Sequence, residues 1–289
     1  MPLFKATYDS WNEDRAPRLA AALSFYTLFS LAPLLIVAIA VAGFFYGEKA
    51  ARGEFAAEIQ KQVGVKLAQV VQELIKNASQ PARSIKASII GVVTLVVGAA
   101  GVFSQLQDSL NTIWGVKPPP GRGIWRQIKG RLLTFSMVVG VGLLLLASLF
   151  VSTWLAALTA FITSLHPGMG LWGPMLDFSV SAIMLTLLFA LIFKLLPDTK
   201  VAWGDVWLGS AFTALVFALG KYPIGLYLGR SSVTSAYGAA GSLVVLLLWV
   251  YYCSQILLFG AEFTKAYSLR HGSRVGEGDL AAKCATPKN

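Results

Sequence analysis

Charge is scarce in this chain. Only 13% of its 289 residues are Asp, Glu, Lys or Arg, against about 25% in an ordinary soluble domain. The shortage is uneven: several long runs carry almost no charge, and the charged residues gather between them. A bilayer imposes that distribution, because a charged side chain is costly in hydrocarbon. Histidine and cysteine are scarce too, with two of each. His166 and His271 lack partners at metal-ligand spacing, which argues against a zinc or di-iron site. Cys253 lies in an apolar run and Cys284 in a polar tail, so no disulfide scaffold is expected. There is no phosphate-cradling Gly-Lys-Ser/Thr loop and no Gly-x-Ser-x-Gly elbow. No metal, no cofactor and no enzymatic activity are therefore expected. A cleaved signal peptide is not expected either. The first apolar run follows a segment in which Asp9, Glu13 and Asp14 stand beside Lys5, Arg15 and Arg18.

Hydrophobic residues make up 56% of the chain. A spanning helix needs about 20 mainly apolar residues, each rising about 1.5 Å through about 30 Å of hydrocarbon. Six segments qualify, roughly 25–46, 85–103, 132–162, 175–196, 206–228 and 239–263. The expected fold is an all-α integral membrane protein, a six-transmembrane-helix bundle. Its parts are an N-terminal segment 1–24, the transmembrane domain 25–263 and a polar tail 264–289 expected to be disordered at its end. Between the first two spans, residues 48–84 carry Phe55, Ile59, Val63, Leu67, Val70, Val71 and Leu74 at helical spacing. That predicts an outer amphipathic helical segment, resting on the bundle or acting as a lid. Residues 104–131 form a cytoplasmic loop, stopped by Pro118-Pro119-Pro120-Gly121 and then basic from Arg122 to Arg131.

The net charge of +10 would suggest nucleic acid in a soluble protein; here the placement of positive residues matters more. With the N-terminus inside, the cytoplasmic side holds 15 Lys and Arg and the outer side eight. Seven of those eight belong to or flank the one long outer loop. The positive-inside rule therefore predicts both termini in the cytoplasm.

Polar residues inside the spans are the candidate site. Tyr251, Gln255 and Glu262 are spaced by four and seven and share one helix face. Glu262 either binds a cation, carries a proton or pairs with a base, or else is solvated at the cytoplasmic interface. Lys221 lies about 22 Å along the fifth span, with Ser210 on the same face and Pro223 two positions on. It either attracts a polar group or snorkels to the outer headgroups. In the first span, Tyr26, Ser30 and Pro33 mark a kinked polar stretch, a transport-site feature or a packing kink. Gly225 with Gly229, and Gly238 with Ser242, are spaced as helix-contact pairs.

The stretch from Ala20 to Pro33, with Leu23-Ser24-Phe25-Tyr26-Thr27 at its centre, resembles the opening of the YihY/BrkB family, long labelled the ribonuclease BN family. Asn111-Thr112-Ile113-Trp114 resembles that family's motif after the second helix, and Leu196-Pro197-Asp198-Thr199-Lys200-Val201-Ala202-Trp203 its loop before the fifth. Tyr237-Gly238-Ala239-Ala240-Gly241-Ser242-Leu243, Leu248-Trp249-Val250-Tyr251 and Gly260-Ala261-Glu262 resemble its sixth helix. Lys221 falls where the family often has a basic residue. The resemblance covers residues 10 to 268 and implies a six-helix, multi-pass protein of the bacterial inner membrane. Roles in transport or envelope lipids have been suspected for its members. The ribonuclease label sits badly with short cytoplasmic loops that hold no acid–base or metal cluster. The leading expectation is a transporter or flippase-like protein for a lipid or other amphiphile, with Glu262, Gln255, Tyr251, Lys221, Ser210, Ser30, Pro33 and Tyr26 along its path. The alternatives are a non-transporting scaffold for envelope proteins and, remotely, a ribonuclease. The expected partners are membrane lipids and not nucleic acid, with a homo-oligomer left open.

Overall fold

The structure, a computed structural model, describes residues 3–30, 69, 72, 101–116, 172–230 and 241–273. Outside it lie Pro33, the third span, most of the first two spans, the basic stretch 117–131 and the tail beyond Ser273. The outer segment 48–84 also lies outside it, apart from the helical Gln69 and Gln72. All regular structure among the described residues is helical.

The chain begins with an amphipathic helix, α1 (Leu3–Glu13). It ends at Asp14-Arg15, where Arg15 takes a left-handed φ of 52°. The helix α2 then runs over 16–30. Pro17 stands in its first turn, where a missing N–H costs nothing. Next comes α3, over 101–113. Gly115 closes it with φ 65°, while the Val116 amide donates to the Asn111 carbonyl at 2.8 Å. That bond and the left-handed glycine form a Schellman cap.

Three long helices follow, α4 (Trp172–Leu195), α5 (Trp203–Arg230) and α6 (Gly241–Arg270). They match the fourth, fifth and sixth predicted spans, except that α6 runs on to Arg270. The last turns of α6 are polar in sequence but packed: Thr264 and Ser268 are buried. One apolar cluster joins five helices. It draws Ala20 and Leu23 from α2, Leu110 and Ile113 from α3, Phe189 and Phe193 from α4, Val206 and Ala214 from α5, and Leu258 and Ala261 from α6.

Two stretches, Trp203–Tyr227 and Leu243–Arg270, are long and apolar enough to cross a membrane. The outer face of α5 fits that role. Trp203, Trp207, Leu208, Leu215, Leu219, Tyr222, Leu226 and Tyr227 are all exposed, with Leu208, Leu215, Leu219, Tyr222 and Leu226 spaced by three, four or seven along one stripe. In water such an apolar stripe is a liability. Its ends are aromatic: Trp203 and Trp207 pair with centroids 6.4 Å apart, and Tyr222 and Tyr227 stand at the other end. Along the helix these pairs are about 22 to 36 Å apart, which brackets about 30 Å of hydrocarbon. Tryptophan and tyrosine favour the two interfaces of a bilayer.

Candidate functional site

The α5–α6 contact sets the positions of the candidate residues. Gly209 of α5 receives the side chain of Thr264 from α6, and Gly260 of α6 receives Thr213 from α5. The two helices thus run antiparallel, locked by two reciprocal Gly–Thr pairs. The glycines are required here because a Cβ at either one would overlap the threonine that fills its place. Each threonine hydroxyl donates back to the glycine carbonyl four residues earlier in its own helix, both at 2.7 Å. Both threonine hydroxyls are thereby satisfied, which suits helices that must associate without a hydrophobic driving force. The sequence pointed instead to Gly225. Among the described residues nothing lies within 4 Å of where its Cβ would be, so it makes no close helix contact there.

Continuing the register sets Lys221 near Tyr252. Lys221 lines a narrow crevice with Phe217, Trp249, Tyr252, Cys253 and Ile256, which leaves no room for a water molecule. Its ammonium stands 5.6 Å from the Tyr222 ring centroid. Ser210 is on the same flank of α5, fully buried, and its hydroxyl has no hydrogen-bond partner.

Tyr251, Gln255 and Glu262 occupy a different face of α6. At about 100° per residue, they point roughly opposite to Gly260 and Thr264, away from α5. Gln255 Nε2 donates to the Tyr251 hydroxyl at 2.6 Å, and Gln255 Oε1 is buried without a partner. Glu262 is 0% exposed, and neither carboxylate oxygen has a hydrogen-bond partner. Among the described residues its nearest cation is Lys265, at 3.9 Å. That ammonium is closer to Asp14, at 3.1 Å.

The structure therefore joins Tyr251 to Gln255 and sets Glu262 about 10 Å further along the same face. It does not bring Lys221 to them. In α2, the Ser30 hydroxyl donates to the Tyr26 carbonyl at 2.9 Å. The Tyr26 ring lies against Gly101, where a Cβ would come within 3.3 Å of it. Among the described residues no group of three His, Cys, Asp or Glu side chains could hold a metal ion.

Other polar contacts were not visible in the sequence. Asn111 Nδ2 donates to Asp198 Oδ2 at 2.9 Å, and the Asp198 amide donates to Asn111 Oδ1 at 2.8 Å. Gln107 adds a third bond, at 3.2 Å. These bonds tie the end of α3 to the α4–α5 loop. Lys194 donates to the Val201 carbonyl and stands 5.2 Å from the Trp203 ring. Asp205, in the first turn of α5, accepts from the Ser273 amide at 3.1 Å and from its hydroxyl at 2.6 Å. Asn111 and Asp198 both stood in motifs singled out from the sequence, and that was the one available signal. Asn111→Ala is expected to cost about 0.5–1.5 kcal/mol per lost bond. Combining it with Asp198→Ala should add less than the sum of the two, by about 0.5 kcal/mol or more. Thermal midpoints of the two single variants and the double variant check this, and strict additivity would show the bonds are not formed.

A family model described as Virulence factor BrkB matches residues 7–283. A UPF0761 membrane protein of Ralstonia nicotianae is 30% identical over 254 residues, 86% of this chain and 55% of the relative. One from Alcanivorax borkumensis is 30% identical over 264 residues, 89% of this chain and 58% of the relative. One from Alteromonas mediterranea is 29% identical over 259 residues, 88% of this chain and 83% of the relative. The chain spans little more than half the length of the first two. No solved structure matches it significantly.

Proposed function

The chain belongs to the Virulence factor BrkB family, its relatives are membrane proteins, and on that premise we propose that it moves a lipid or other amphiphile across the bacterial inner membrane. Six helices span the bilayer in this reading, both termini are cytoplasmic, and the role is not enzymatic. One observation carries it: the wholly buried carboxylate of Glu262 on an apolar helix, which accepts no hydrogen bond and whose nearest ammonium among the described residues, Lys265 at 3.9 Å, lies closer to Asp14. A carboxylate so weakly paired in such a place is costly, and that cost is retained where it serves a path. Gln255 Oε1 and Ser210 Oγ add two more buried acceptors with open capacity. Lys221, which pairs with no carboxylate among the described residues, supplies the attraction for an anionic headgroup near the outer end.

A second reading has its own observation. The two Gly–Thr contacts between α5 and α6 are close-packed, with both threonine hydroxyls bonded, as a rigid scaffold for envelope proteins would need. A density map of the chain in nanodiscs of anionic lipid separates the two. The transport reading expects ordered water or a headgroup against Gln255, Glu262 or Ser210. A dry interior, with those groups bonded only to protein, favours the scaffold.

A further inference from the structure

We propose that α1 is a latch laid across α6 that covers Glu262 and opens to admit water or headgroup from the end bearing the termini. The two ends of α1 hold opposite flanks of α6. At its start, Phe4 meets Phe212 at 5.8 Å and Phe263 at 5.9 Å, where those two rings stack with centroids 4.0 Å apart. Just past its end, Asp14 holds Lys265 at 3.1 Å. Phe263 and Lys265 lie about 160° apart around α6. A helix that reaches both must cross the face between them, and Glu262 is on that face. Thr7, midway along α1, is fully buried, as the crossing requires.

The closed arrangement covers a carboxylate without satisfying it. No group donates to Glu262, the Asp14 carboxyl stands within hydrogen-bonding reach of it, and among the described residues the one ammonium nearby is shared with Asp14. Glu13 and Asp14, both from the end of α1, add their negative charge to its surroundings, against the positive charge of Lys265 on α6 itself. The latch thus lays like charge on a buried carboxylate, and two things hold it down: the Phe4 cluster and the Asp14–Lys265 pair. Lifting it frees Lys265 to turn to Glu262 and lets water reach both. The turn at Arg15, with its left-handed φ of 52°, is where the backbone can absorb the change, since non-glycine residues hold that conformation only under constraint. Such an element has two states that a ligand at Glu262 would bias. The inference rests on reading Glu262 as a path residue.

The test uses the full chain in nanodiscs, with Cys253→Ser and Cys284→Ser as background and Ala266→Cys as probe. Ala266 is buried one turn beyond Glu262 on the same face. The rate of reaction with a polar maleimide is read in three backgrounds. It should be slow with α1 intact and rise about tenfold or more with Asp14→Asn or with Phe4→Ala, as a population shift requires. Ala190→Cys, in the shared core, should stay unreactive in all three. Equal rates at Ala266→Cys in every background would overturn the latch. So would a parallel rise at Ala190→Cys, which would mean general loosening. No lipid movement is measured, so a chain that moves no lipid can still pass this test, and a chain that moves lipid can fail it.

Discussion

Gly260→Leu is expected to stop α5 and α6 from assembling. A Cβ at Gly260 would lie 2.7 Å from Thr213 Cγ2 and 2.8 Å from its Cβ, and leucine adds three more carbons in the same direction. Threonine cannot yield, because its rotamer is held by the bond to the Gly209 carbonyl. Overpacking of this kind costs about 1–3 kcal/mol and sometimes more, a large share of a total stability of about 5–15 kcal/mol. The variant should aggregate or be degraded, lacking the monodisperse detergent peak of the wild type. Gly225→Leu, the same change on the open side of α5, should leave that peak intact. Adding Thr213→Ala to a milder Gly260→Ala should recover part of the loss. If the two leucine variants behave alike, the Gly–Thr register is wrong.

The second large effect belongs to Glu262. Glu262→Gln keeps the shape and removes the ionisable group. The carboxylate makes no hydrogen bond in the closed state, and Lys265 keeps Asp14. Folding and insertion should therefore change little. Activity should not survive: if the ionisable carboxyl serves only along the path, the rate should fall about tenfold or more, equivalent to about 1.4 kcal/mol of lost stabilisation. A scaffold would gain or lose nothing by the change. The comparison is made on protein reconstituted in equal amounts, with the thermal midpoint recorded beside the rate.

The sequence was most legible in its long apolar runs. The courses of α4, α5 and α6 follow from hydropathy because apolar runs of about 20 residues read as continuous helices. The spacing of Tyr251, Gln255 and Glu262 correctly placed them on one face, since 3.6-residue periodicity is a local property. What was hidden depended on partners. The end of α6 extends to Arg270 because Thr264 fills Gly209 and Asp205 takes up Ser273, contacts that no hydropathy window sees. The close helix contact was sought at Gly-x-x-x-Gly pairs. The pattern in use is Gly-x-x-x-Thr on both helices, Gly209 to Thr213 and Gly260 to Thr264. The position of α1 over Glu262 joins Asp14 to a residue far along the chain, and nothing local announces it. Asn111 and Asp198 were noticed as members of two motifs, but not as each other's partners.

The central claim is that this chain carries an amphiphile past Glu262, and transbilayer movement of lipid tests it most directly. Purified full chain is reconstituted into liposomes containing a fluorescent phosphatidylglycerol, and dithionite is added outside. Without translocation only the outer leaflet, about half the probe, is quenched. The account predicts that wild-type vesicles lose nearly all their fluorescence and that Glu262→Gln vesicles stop near the protein-free level. Wild-type vesicles that also stop at half, or Glu262→Gln vesicles that quench as fast as wild type, would contradict it.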